Sequence, residues 1–312
     1  MKRILTLLAA AALLLSFSAC GSKTPAPVTD APSRTAAQTT EPAEPSAETT
    51  EAESSTVNEE ESSEAKEAEE SSAAAEETSQ APETTTAAED ALPQTTAEIL
   101  AAYTDVMTYA KTEKAGFKRV RYQSLPKEKR NFSNNTVINI AANFMTSKEK
   151  AEKNPEVYPK GNDGAAFPIY GNKKGCLLTD TSGIQSAECK KLPNGNVRIK
   201  IVLKPEMNPE PTPFGAEKAP SCHGAMFGPA SKKEIDEALN SKIVTAITKS
   251  AEYSLKYYDS YSDLEYDPVT KHIQSLHQHC DVLVTADAEL VFGPFNGSCV
   301  LVNENYFSDL VY

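Results

Sequence analysis

The chain has 312 residues, with 44 Asp or Glu against 31 Lys or Arg, for a formal net charge of −13. Nucleic acid is not an expected partner, because its recognition starts from clustered basic charge and the part of the chain beyond the acidic residues 21–97 carries no net charge. The acidity is unevenly placed: residues 21–97 hold eighteen acids and three bases, whereas residues 98–312 are neutral as a whole.

Lys2 and Arg3 precede an apolar run, residues 4–19, broken only by Thr6, Ser16 and Ser18. The run is shorter than the ~20 residues a bilayer-spanning helix needs, and it fits the apolar region of a signal peptide. Phe17-Ser18-Ala19-Cys20 resembles the lipobox of bacterial lipoproteins, with Phe17 where Leu is usual. The resemblance implies that residues 1–19 are a lipoprotein signal peptide and that Cys20 carries a diacylglyceryl lipid after cleavage. Two acyl chains anchor stably where one is marginal. The expected location is the outer face of the plasma membrane, with the membrane as a partner through the N-terminal lipid. The alternative is an ordinary secretory signal with a chance cysteine.

Residues 20–94 are built mainly from Ala, Thr, Ser, Glu and Pro, and no aromatic residue occurs between Phe17 and Tyr103. Such a segment cannot bury enough apolar area to offset its conformational entropy, so it is expected to be a disordered acidic tether. Self-repulsion and proline extend it.

Residues 95–312 are long enough for one good core. Thr95 and Glu98 form the pattern of a capping box, and Ile99, Tyr103, Val106 and Ala110 then share a face, which predicts a helix over 96–113 ending at Gly116 as a left-handed cap. Residues 117–125 alternate, with Val120 and Tyr122 as the inward set, and predict a strand. A second helix is expected over 136–145 on Val137, Ile140, Ala141 and Phe144, and Ser147 either extends it or starts a new turn. Residues 154–175 read as a long irregular connection, expected to be a mobile excursion. Residues 184–191 and 197–203 flank Leu192-Pro193-Asn194-Gly195-Asn196. A three-residue loop with Gly195 in a bulge sets Cys189 opposite Ile199, Ala187 opposite Ile201 and Glu188 opposite Lys200, which matches apolar with apolar and acid with base. Ser231 to Glu234 reads as a capping box, opening a helix on Ile235, Leu239, Ile243 and Ile247. Strands are expected over 253–267, 273–283, 284–292 and 298–303. Because helices and strands are segregated, the expected fold is α+β: a curved antiparallel sheet with a few helices packed on one face, preceded by the signal peptide and the long disordered linker.

The order of lipobox, acidic stalk, helix, the hairpin CKKLPNGNVRIKIVLKPEMNP and the closing YSDLEYDPVTKHIQSL resembles a type of cell-surface lipoprotein from Gram-positive, Clostridia-like bacteria. Those proteins usually carry an Asp-x-x-Thr-Gly-Lys turn between two strands. Here Asp267-Pro268-Val269-Thr270-Lys271 lacks the glycine. The resemblance implies location and fold class and brings no catalytic residues.

Five cysteines follow Cys20: Cys176, Cys189, Cys222, Cys280 and Cys299. They read as small buried hydrophobes, with a Cys176–Cys189 disulfide and a reactive Cys222-His223 pair as alternatives. His277 and His279, two apart on a strand, share a face and are the candidate ligands of a zinc or copper site, with His272, Asp281 or a more distant residue as a third. The alternative is a histidine pair on a solvated or partner-facing sheet face. Lys118, Arg119, Arg121, Lys127, Lys129 and Arg130 fall in a basic stretch that reads either as a patch for an anionic partner or as a solvated face. Tyr253, Tyr257, Tyr258, Tyr261 and Tyr266 suggest an aromatic strand that lines a sugar or peptide groove, with a core edge as the alternative. The sequence contains no phosphate loop, nucleophile elbow, His-Glu-x-x-His or dinucleotide fingerprint. The expected function is a binding or interaction module for cell-wall polymer, sugar or peptide, without a cofactor beyond the lipid. A metal-dependent envelope enzyme using His277 and His279, or a carrier of an apolar ligand, stands as the alternative.

Overall fold

The computed structural model describes residues 92–134, 138, 139, 142, 145–246, 248–291 and 293–312. The expected signal segment, Cys20 and nearly all of the expected tether lie outside these residues, as do Val137, Ile140, Ala141, Phe144 and Ile247, on which two of the expected helical stripes rest.

Helix α1 (Thr96–Thr112) forms where expected, with both hydrogen bonds of the Thr95–Glu98 capping box in place. Its expected stop is not the one observed. Lys114 takes the left-handed conformation (φ 51°), and Gly116 already belongs to β1 (Gly116–Ser124). Gly116 is needed there for close approach, because a Cβ would sit 2.5 Å from the Lys160 backbone nitrogen.

A 3-10 turn (Lys127–Lys129), β2 (Arg130–Phe132), α2 (Lys148–Lys153) and β3 (Glu156–Tyr158) follow. Ser147 caps α2 as a separate helix. Next come β4 (Ile184–Lys191), β5 (Val197–Leu203), β6 (Glu206–Met207), α3 (Cys222–Met226), α4 (Lys232–Leu239) and α5 (Lys242–Thr245). Ser231 caps α4, but Asn240-Ser241 separates α4 from α5 where one helix was expected. The chain ends in three long strands: β7 (Thr248–Tyr266), β8 (Ile273–Leu290) and β9 (Gly293–Val311).

All nine strands among the described residues join one sheet in the order β3-β1-β9-β8-β7-β5-β4, with β2 also on β9 and β6 on β7. Every pairing is antiparallel. The β4–β5 hairpin takes the expected register: Cys189 faces Ile199, Ala187 faces Ile201 and Glu188 faces Lys200, with Gly195 at φ 88°. The expected break between residues 283 and 284 is absent. Every even-numbered residue from Leu276 to Leu290 is buried, and neither Gly nor Pro interrupts that period of two, so β8 continues as one strand.

Among the described residues only α1 is longer than eight residues. The architecture is therefore a large antiparallel sheet with few helices, richer in β structure than the expected α+β. Two apolar clusters lie on one sheet face. In the first, Ile99, Tyr103 and Val106 of α1 pack on Ile199, Ile201, Leu264, Leu276 and Phe307. In the second, Ile138, Ala230 and Ile235 pack on Leu255, Val282, Val284 and Leu301.

Candidate functional site

Between these clusters the helix-side face of the sheet turns polar. Register places Gln278 opposite Asn305, which faces Arg121 across the next strand pair; the following rung holds Cys280, Asn303 and Gln123. Leu276 and Phe307 bound this band on one side, and Val282 and Leu301 on the other. Burying amides costs free energy unless each finds partners, and most do. Gln123 Nε2 donates to Asn303 Oδ1 (2.6 Å), Asn303 Nδ2 to the Cys280 carbonyl (3.1 Å) and Gln278 Nε2 to the Met226 carbonyl (2.9 Å). Asn305 Oδ1 is buried without a hydrogen-bond partner.

A cavity of about 210 Å³ lies over the band. Pro168, Ile169 and Tyr170 line one side, and Phe227 to Ala230 another. The first of these belongs to the stretch expected to be a mobile excursion, and the structure corrects that reading. Phe167 and Ile169 are buried, and Lys111 Nζ donates to the carbonyls of Ile169 and Asn172, both at 2.5 Å. Burial draws the Lys111 pKa down to about 7, against the opposing charge of Asp163. Arg119 adds a second tie, donating to the Ala166 carbonyl (2.9 Å) while paired with Glu156.

Behind the cavity wall stands a relay of groups, buried except for the half-exposed Glu206. His223 Nδ1 lies 2.8 Å from Glu206 Oε2, and its Nε2 lies 3.0 Å from Ser260 Oγ. Ser260 Oγ in turn lies 3.0 Å from Cys280 Sγ. The first three have the connectivity of a serine–histidine–acid triad. His223 and Ser260 are fully buried, however, and of the four only Cys280 lines the cavity. Burial pushes the Cys280 thiol up to about 12, and the Ser260 hydrogen bond offsets only part of this, so the sulfur stays protonated and weakly nucleophilic.

The opposite sheet face carries the two histidines. His277 and His279 do share a face, as expected, but they meet on one carboxylate: His277 Nε2 lies 2.6 Å from Glu304 Oε2, and His279 Nδ1 lies 3.0 Å from Oε1. His272 is elsewhere, stacked on Tyr312 at 4.0 Å. The rings form a cross-strand ladder, with Tyr261 against His279 (5.0 Å) and His277 against Tyr306 (4.1 Å). The expected tyrosine strand does not line one groove. Tyr253, Tyr257 and Tyr266 share the phase of the core residues Leu255 and Leu264, whereas Tyr258 and Tyr261 pair with Asp281 and His279 on the other face.

The six bases of the expected patch are not brought together. Strand alternation sends Lys118 toward Asp309 (3.7 Å) and turns Arg119 and Arg121 to Glu156 on the helix side. The phase of β1 is accordingly opposite to the one expected: Phe117 and Arg119 are buried, while Val120 and Tyr122 are only half-buried. Lys127 is exposed, Lys129 pairs with Asp281 (3.0 Å), and Arg130 donates to the Leu125 carbonyl and to Asn139.

The five described cysteines are unpaired, and Cys176, Cys280 and Cys299 are buried. The Cys176–Cys189 disulfide is absent. The His223 ring is taken by Glu206 and Ser260, and burial raises the Cys222 pKa, so Cys222 and His223 form no reactive pair.

The amide band escaped sequence reasoning. Its signal was present, with Gln278 set between Leu276 and Cys280 and Asn303 and Asn305 set between Leu301 and Phe307, at the inward phase of strands that are otherwise apolar. Comparison with protein-family models, curated proteins and solved structures finds no match for this chain.

Proposed function

We propose that the chain is an exported lipoprotein, anchored by lipid on Cys20 at the outer face of the plasma membrane, whose sheet domain is a binding module for a sugar unit of cell-wall polymer. The observation that carries the ligand assignment is the amide band under a cavity, with Asn305 Oδ1 buried and unpartnered. Convergent polar groups in an apolar-walled cleft are the usual form of a small-ligand site. Amide side chains both donate and accept, as sugar hydroxyls do, and Ile169, Tyr170, Val282 and Leu301 offer apolar surface for the carbon face of a ring. Location and tether rest on the N-terminal sequence.

Titrating the full chain with oligosaccharides released from Gram-positive cell wall tests this by calorimetry. Removing a hydrogen-bonding group from the site should cost about 1–3 kcal/mol, or about 5- to 150-fold in Kd, for Asn305→Ala. Tyr170→Ala should weaken binding as well. Saturable binding that neither substitution changes removes the cavity as the site, and no binding to any wall glycan overturns the ligand class.

A further inference from the structure

On the face opposite the cavity, β7 contains a bulge. Tyr258 pairs with Asp281 and Tyr261 with His279, so β7 spends one more residue than β8 across the same interval. The extra residue allows tyrosines three apart to lie on the same face, and Asp259 within it takes a left-handed conformation (φ 48°). A bulge of this kind re-aims side chains. Here it brings the Asp259 carboxylate to His279 and Asp281, with one donor atom from each lying within 4.8 Å of the others.

We propose that Asp259, His279 and Asp281 form a site for a divalent transition metal of the zinc class. Four observations support it. First, Asp281 is 4% exposed; its Oδ2 accepts from Lys129 Nζ (3.0 Å), but its Oδ1 is buried with no hydrogen-bond partner. Second, that oxygen, though without a hydrogen bond, lies 3.5 Å from His279 Nε2, an ion-pair distance when the imidazole is protonated. Two donors each ~2.1 Å from a tetrahedral zinc stand ~3.4 Å apart, so this pair already has the needed separation. Third, Asp259 is exposed, so its carboxylate can close the remaining distance without disturbing a core. Fourth, His279 Nδ1 is held by Glu304 at 3.0 Å. A carboxylate on one imidazole nitrogen fixes the ring and leaves the other nitrogen to the metal, the arrangement that orients histidine ligands in zinc sites. One nitrogen and two carboxylate oxygens suit zinc better than calcium, which takes six to eight oxygens. His277 is not a ligand in this assignment, because its Nε2 is engaged by Glu304. His279 and Glu304 are also among the residues lining the cavity, but the metal assignment uses none of the observations that carry the sugar reading.

The full chain is titrated with Zn²⁺ alone, near neutral pH, against a chromophoric chelator. One ion per chain is expected. Asp259→Asn and His279→Gln should each weaken binding tenfold or more, while His277→Gln should change it less than threefold. Because Asp259 is exposed, its variant tests the site without burdening folding. Absence of saturable one-to-one binding overturns the proposal, as does a loss below tenfold in Asp259→Asn or in His279→Gln. A loss of threefold or more in His277→Gln also overturns it, by giving the ion to the histidine pair.

Discussion

Glu304 holds two imidazoles at once, and both act on its carboxylate. Burial works to raise its pKa, but the hydrogen bonds and charges of His277 and His279 outweigh burial and bring it down to about 2. Burial likewise opposes the charge on His279, yet the Glu304 hydrogen bond, with the carboxylates of Glu304, Asp281 and Asp259, raises its pKa above the ordinary 6.5. A carboxylate with a lowered pKa stabilises the fold above its unfolded value of 4.5, and this is lost as pH falls toward about 2. A histidine with a raised pKa stabilises the fold below 6.5, and this is lost as pH rises through the folded value. The two contributions overlap between pH 4.5 and 6.5. Glu304→Gln should therefore lower stability most in that window and progressively less on either side, as read by urea unfolding across pH. Lys111 has the opposite dependence. Its folded pKa is about 7 against an ordinary 10.5, so between those values the unfolded chain holds a proton that the folded chain has released, and stability rises with pH. Lys111→Met strands two buried carbonyls and should cost about 1–3 kcal/mol. The gap to the parent chain should widen from neutral to alkaline pH, and a constant gap would show that Lys111 is not titrating between the two states.

At the scale of elements, what was legible in the sequence was local. The capping box of α1 and the register of the β4–β5 hairpin follow from residues close in sequence, and both form as expected. Interactions far apart in sequence were not legible. The inward phase of β1 was misassigned because Arg119 is buried only by virtue of Glu156 and Tyr158 across the β1–β3 pair. The connection over 154–175 looked mobile because its anchor, Lys111, lies on α1. The amide band exists only when β1, β8 and β9 are in register. Gly297 shows the same dependence in β9. It sits at φ 144°, and a Cβ there would lie 2.0 Å from the Asn131 carbonyl oxygen of β2. That atom is backbone in a paired strand and has no rotamer by which to retreat. Gly297→Ala should push β2 off the sheet and disturb the Phe132–Phe295 stack, whose ring centroids are 4.7 Å apart. A cost of 2 kcal/mol or more corresponds to a fall in Tm of roughly 4–8 °C for a domain of this size, measurable by thermal scanning. An unchanged Tm would mean that β2 contributes nothing to the fold.

At the scale of the whole molecule, the proposed attachment makes the acyl group on Cys20 the hold on the membrane. Electrostatics cannot replace it. Residues 21–97 carry an excess of fifteen negative charges, and the remainder beyond them is neutral, so an anionic membrane surface repels the tether. Among the described residues no helix is long and apolar enough to cross a bilayer. Two acyl chains, by contrast, bury enough methylene groups to hold a protein stably, at about 0.8 kcal/mol each, and that hold is indifferent to salt. The parent chain should therefore sediment with membranes, survive a high-salt wash and be released by detergent. Cys20→Ala, which leaves residues 92–312 untouched, should sediment with membranes no longer, and exported material should appear in the medium with the fold of the sheet domain intact. Loss from the membrane fraction with no appearance in the medium would point to export failure instead, and circular dichroism on the released fraction checks that the fold is intact. A Cys20→Ala chain that still sediments with membranes after the salt wash would show that something other than the lipid holds it there, and the proposed surface tether would fail with it.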